Sequence, residues 1–177
     1  MSIREYFKRI AGIGFFVLVF LSCNSLYPAE LRLEKYHQGL YAGFKAYNIS
    51  SDEQIGLVGV KLKHNINKYL YWGEFGYGAV AGKRGGFLEG GLLVGLSTVV
   101  SKAFSLGISV MAGAGGGGSA PQGGGLIVNP AITAGWRMSN KDSITIDIGY
   151  IWFLNGNIES ITVGIHYQLN YWLLGVK

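Results

Sequence analysis

Lys45, Lys61, Lys63, Glu74, Glu89, Arg137, Asp147 and His166 are the residues of this chain best suited to do chemistry, and all eight fall on the polar phase of stretches that alternate apolar with small or polar side chains. Two kinds of chemistry suit such a set. Amines, carboxylates and an imidazole gathered into one enclosed space neutralise one another, because an unpaired buried charge is costly. The same residue types beside a serine or cysteine nucleophile, with a base and an orienting group within hydrogen-bond reach, transfer acyl chains. Little supports the second. His166 has Gln168 two residues on, His37 is followed by Gln38 and Gly39, and His64 stands near a turn on the opposite, apolar phase. No triad assembles from these neighbours, and the chain is expected not to be an enzyme.

The glycine run from Gly113 to Gly125 formally contains G-x-G-x-x-G. A phosphate-binding loop needs a helix after its glycines, and a P-loop also needs Gly-Lys-Ser/Thr. Here a strand-like segment, Leu126 to Met138, follows, and the run holds no lysine. No cofactor and no metal are assigned. The run reads either as a flexible loop able to fold over a barrel mouth or as two strand ends extended by glycine.

The elements that must position the polar residues follow from a two-residue beat. Ile144, Ile146, Ile148, Tyr150 and Trp152 alternate with Ser143, Thr145, Asp147, Gly149 and Ile151; Ile161, Val163, Ile165, Tyr167 and Leu169 alternate with Ser160, Thr162, Gly164, His166 and Gln168. Successive strand side chains point to opposite faces, so each segment has one apolar face. A soluble, lipocalin-like barrel would turn that face inward. A transmembrane barrel turns it to lipid and keeps the polar face in the lumen.

Eight such segments are expected: His37–Ile49, Gln54–His64, Tyr69–Val80, Phe87–Val99, Lys102–Met111, Leu126–Met138, one through Ile144–Trp152 and one through Ser160–Tyr171. Turn residues separate them, Asn155-Gly156 being the strongest hairpin signal. The predicted fold is all-β, a single up-and-down antiparallel transmembrane barrel. Turns at Asn65, Ser101 and Asn140 then lie on the periplasmic side, and loops at Ser51, Lys83, Gly117 and Asn155 outside. Aromatic girdles are expected from Tyr69, Tyr71, Phe104, Trp136, Tyr167 and Tyr171 at one interface and Tyr47, Tyr77, Tyr150 and Trp152 at the other. The eight charged and imidazole residues named above face the lumen with Thr133, Thr145, Ser105, Ser109 and Gln168, and Trp72 is placed there too. An eight-stranded barrel is just wide enough for side chains to fill it.

Composition agrees. Twenty-nine glycines in 177 residues is about twice the usual share, and charge, at 14%, is well below that of soluble proteins. No stretch approaches the ~20 apolar residues of a membrane helix. Residues 1–29 read as an export signal, with Arg4, Lys8 and Arg9 before an apolar segment from Ile10 to Leu21. Residues 30–177 then form the barrel domain, with 12 basic against 9 acidic residues. Lys83-Arg84 is the largest basic cluster, too small for a nucleic-acid surface. Phe20-Leu21-Ser22-Cys23 resembles a loose lipobox, so the alternative is a signal over residues 1–22 and a lipidated Cys23.

The final strand adds a resemblance. Thr162, Gly164, Tyr167 and Leu169 match the spacing of the C-terminal insertion signal of bacterial outer-membrane barrels, although the chain runs on to Lys177. With the export signal and the alternation, the chain resembles small bacterial eight-stranded outer-membrane β-barrel proteins. That resemblance implies a location in the outer membrane, with membrane lipid and the barrel-insertion machinery as partners. It implies a non-catalytic, structural or surface-interaction role for a barrel with a filled lumen. A barrel binding or passing a small apolar ligand, and a lipid-modifying enzyme, are the alternatives.

Overall fold

The computed structural model describes residues 33–121, 123–139 and 141–176. Both expected cleavage points, and Cys23 with them, lie outside the described residues. The strands are β1 (Leu33–Ser50), β2 (Glu53–Asn65), β3 (Leu70–Ala81), β4 (Leu88–Val99), β5 (Phe104–Gly116), β6 (Leu126–Arg137), β7 (Asp142–Phe153) and β8 (Glu159–Val176). Each pairs antiparallel with the next and the ring closes from β8 to β1, so residues 35–175 form one closed up-and-down barrel. Closure leaves no strand edge to cap.

Short polar turns join the strands at one end. The Asn67 carboxamide oxygen accepts from the backbone N–H groups of Tyr69 and Leu70, both at 2.8 Å. Ser139 Oγ accepts from the N–H groups of Lys141 and Asp142, at 3.1 and 3.2 Å. Side chains that bond their own backbone in this way favour a tight reversal over continued extension. The opposite end carries the longer loops, 82–87, 117–125 and 154–158, beside the short link Ser51-Asp52. Glycine extends the fifth strand beyond its expected stop at Met111, as Gly113, Gly115 and Gly116 stay paired with Gly91, Glu89 and Leu88. The remaining glycines make the loop, with Gly117, Gly118, Ser119, Gly123 and Gly125 in left-handed conformations.

The faces of β7 and β8 are those expected. Ile146, Ile148, Ile161, Val163 and Ile165 are exposed outward, while Thr145, Asp147, Thr162 and His166 are buried inward. The belt continues around the wall through Leu88, Leu92, Ile108, Ile132 and Val58. Tyr69, Trp136 and Tyr167 face outward at the turn end, and the rings of Tyr150 and Trp152 meet at a tilt, centroids 4.6 Å apart, toward the loop end.

Four aromatic assignments are corrected. Tyr47, Tyr71 and Tyr77 are not girdle residues: they are buried inside the ring, while Trp72, expected inside, is exposed outside. The reason is volume. A lumen filled only by small polar side chains would be hollow, and packed interiors do not leave such voids. The β6–β7 ladder has one gap. Pairing includes Val128 with Trp152 and resumes at Ala131 with Gly149 in the same register, skipping Asn129 and Pro130. Proline has no N–H to give to the ladder.

Candidate functional site

The lumen is the site that the strands build, and it is layered. At the loop end Ile49, Ile55, Phe87, Ile127, Ile151, Phe153 and Ile158 form an apolar plug, each almost fully buried. Burying each such side chain stabilises by about 1.5–3 kcal/mol. Arg84 closes this end. Its Nε and Nη2 donate to the two carboxylate oxygens of Glu53, at 2.8 and 2.7 Å, and its Nη1 donates to the carbonyl of Ser119 at 2.7 Å. The glycine loop is thereby drawn against the plug, and Ala120 joins the buried cluster. The Arg84 guanidinium holds the Glu53 carboxyl below its ordinary range, and Glu53 raises Arg84 in return.

Beneath the plug lie two buried ion pairs. Lys45 Nζ donates to Glu89 Oε1 at 2.6 Å, and Tyr47 Oη donates to Glu89 Oε2 at 3.0 Å. The amine also sits 5.4–5.5 Å from the ring centroids of Tyr77 and Tyr47. Lys61 donates to Asp147, which also accepts from Thr133 Oγ1 at 2.6 Å. Tyr77 Oη and His166 Nε2 share a hydrogen bond of 2.7 Å. His166 Nδ1 lies 3.2 Å from Asp147 Oδ2, without the alignment of a hydrogen bond. Toward the turn end, Lys63 donates to Ser97 Oγ at 2.9 Å and lies 4.0 Å from the Tyr71 ring centroid.

Rings enter this space because glycine faces them. Tyr71 pairs across the ladder with Gly95, and a methyl at position 95 would come within 2.6 Å of Tyr71 Cζ. Gly59 gives Tyr77 the same room, and Gly43 gives it to His166. The hydroxyls of Tyr47 and Tyr77 complete the polar network. A tyrosine is thus a lumen residue by both size and chemistry.

Of the expected lumen residues, Lys45, Lys61, Lys63, Glu89, Asp147 and His166 come together. Two do not. Glu74 pairs in register with Leu62 on the outward face, where its Oε2 meets His64 Nε2 at 2.9 Å. Its error follows from Trp72: once the β3 rings turn inward, every residue between them turns outward. Arg137 continues the inward line of β6 but is exposed at the turn-end rim, outside the network. The sequence reading missed the Arg84–Glu53 clamp, since no spacing pattern links a loop arginine to a strand-opening glutamate. Tyr77, His166 and Asp147 have the order of a hydroxyl–imidazole–carboxylate relay, yet His166 is 2% and Tyr77 3% exposed, which leaves no face for a substrate. Outside the wall, an open hollow of about 650 Å³ lies over Gly76, Gly78, Leu88, Gly90, Ala114 and Gly116.

No protein-family model matches the chain, and no curated protein matches it. Solved structures do. A de novo designed transmembrane β-barrel superposes with a TM-score of 0.55 at 11% identity, covering 76% of this chain and 95% of the other. Neisserial surface protein A gives a TM-score of 0.46 at 11% identity, covering 77% and 95%. Ail, the attachment invasion locus protein of Yersinia pestis, gives 0.42 at 14% identity, covering 80% and 100%. The ring of strands and the likeness to the designed barrel give the fold: a closed, eight-stranded barrel of the transmembrane kind.

Proposed function

We propose that this protein is a non-catalytic outer-membrane barrel with a closed lumen, acting through the surfaces it holds in and above the membrane rather than through a pore. One observation carries this reading: the lumen is filled from its loop end through its middle, by an apolar plug, then by paired charges whose side chains are at most about a tenth exposed. Charges gathered that deeply and matched in sign serve to hold the wall in register. The outward belt of Ile, Val and Leu supports a lipid setting, because a soluble protein rarely exposes a continuous apolar band. The export signal and the Thr162–Leu169 pattern support delivery to the outer membrane and insertion through β8.

The test is electrical. The full chain refolded into a planar bilayer should give no steady conductance, and a stable open channel refutes the closed-lumen reading. Heat-modifiable migration after detergent extraction tests the membrane setting, and an unshifted protein that needs no detergent refutes it. The hollow over the glycines of β3, β4 and β5 favours a second reading, a barrel that takes a small apolar molecule from the bilayer. Gly76→Leu should then abolish uptake while leaving folding intact.

A further inference from the structure

The strands present one ion pair on their outward face among the described residues, and it stands in apolar company. His64 and Glu74 lie diagonally across the β2–β3 ladder, where Leu62 opposes Glu74 and Trp72 opposes His64. Leu92 and Val94 flank them on β4. The two side chains are 23% and 42% exposed, so the pair is open to its surroundings. Its depth is set by the strand ends. His64 is the penultimate residue of β2 and Trp72 the third of β3, and Glu74 reaches back toward the turn to meet His64. One face of the Trp72 ring lies against His64, with centroids 4.7 Å apart. The adjoining turn holds Lys68, whose amine lies 4.6 Å from the Tyr69 ring centroid.

We infer that His64, Glu74 and Trp72, with Lys68 in the adjoining turn, form a binding site for a phospholipid headgroup that carries a primary ammonium next to its phosphate. The inference rests on the membrane reading above. Its chemistry is specific: the open carboxylate of Glu74 and the indole face both attract a cation. The His64 imidazole suits the phosphate, and Lys68 in the adjoining turn adds a positive charge at the same end of the wall. A headgroup lying along the membrane surface brings its two charges to neighbouring strands at one depth, as this patch requires. An isolated glutamate among leucines would instead be a cost to the wall without return. A primary ammonium is favoured over a trimethylated one because only the former donates hydrogen bonds to a carboxylate.

The test uses the full chain refolded into nanodiscs that mix ethanolamine, choline and glycerol phospholipids of matched acyl chains. Lipids retained by the released barrel are then counted by native mass spectrometry. Ethanolamine lipid should be retained about fivefold above its bulk ratio, the scale of one exposed ion pair. Glu74→Gln should return retention to the bulk ratio, and Trp136→Phe, across the ring on β6 at the same end, should leave it unchanged. Retention at the bulk ratio in the unmodified chain, a preference for the glycerol lipid, or unaltered enrichment in Glu74→Gln each overturns the inference. If Glu74→Gln fails to refold, the ethanolamine-to-choline ratio in the unmodified chain decides alone. A chain that does not enter the bilayer at all refutes the membrane reading; a chain that inserts without preference refutes only the headgroup site.

Discussion

Two regions of the lumen are stabilised by different physics. The loop end is held by shape: Phe87, Phe153 and five isoleucines interlock with no polar atom among their side chains. The middle is held by pairing: Lys45 with Glu89 and Lys61 with Asp147, each charge buried beside its opposite. A plug tolerates a change of side chain that keeps the volume. A network tolerates the loss of both partners better than the loss of one. The same barrel therefore has one region sensitive to size and another sensitive to charge.

The largest effect is expected where a partner is removed. Glu89→Leu strands Lys45 in the lumen and should lower stability by about 3–5 kcal/mol. The double change Lys45→Met with Glu89→Leu should recover most of that loss. Urea midpoints of refolded barrels measure both, and a double variant as unstable as the single one breaks the comparison. Next comes shape. Ile127→Ala should cost about 2–5 kcal/mol, whereas Ile127→Leu should cost less than about 1.5 kcal/mol. Equal losses would show that the plug is not a packed solid.

Gly95→Ala extends the test of shape toward the turn end, since its methyl meets both the ring of Tyr71 beside Lys63 and the backbone carbonyl of Ile108. It should cost about 1–3 kcal/mol by overpacking, read as a urea midpoint, and a neutral result would mean that both the ring and the wall give way. The smallest effect lies at the clamp. The Glu53 carboxyl is held below its ordinary range by Arg84, so its contribution is fully present above the usual glutamate range and is lost as pH falls through the lowered value. Protease cleavage in the loop over residues 117–125 should therefore rise in acid, and Glu53→Gln should be cleaved equally across that pH range. A pH-dependent Glu53→Gln would remove Glu53 from the clamp.

How much of this was legible depends on the strand. In β7 and β8 the apolar residues face out and the small polar ones face in, so the beat of the sequence is also the beat of the wall. Asp147 and His166 could be placed from it. In β3 the beat is present but its sign is ambiguous. Tyr71, Phe75 and Tyr77 are large enough for a girdle, yet they fill the lumen, and Glu74 and Trp72 take the outside. Polarity alone does not decide the face of a tyrosine. The deciding signal is a glycine on the neighbouring strand, Gly95 opposite Tyr71 or Gly59 opposite Tyr77, and it becomes readable only once register is known. The clamp was unreadable for a different reason, since Arg84 and Glu53 meet through loop closure rather than through any period.

The gap in the β6–β7 ladder at Pro130 has a consequence in time. A closed ring has no terminus from which to fray, so any opening has to start at an internal fault. The missing donor supplies one beside Asn129, at the level where the apolar plug gives way to the polar layer. Amide protons flanking that seam should be the first in the wall to trade with solvent, and a barrel pulled apart mechanically should unzip from there.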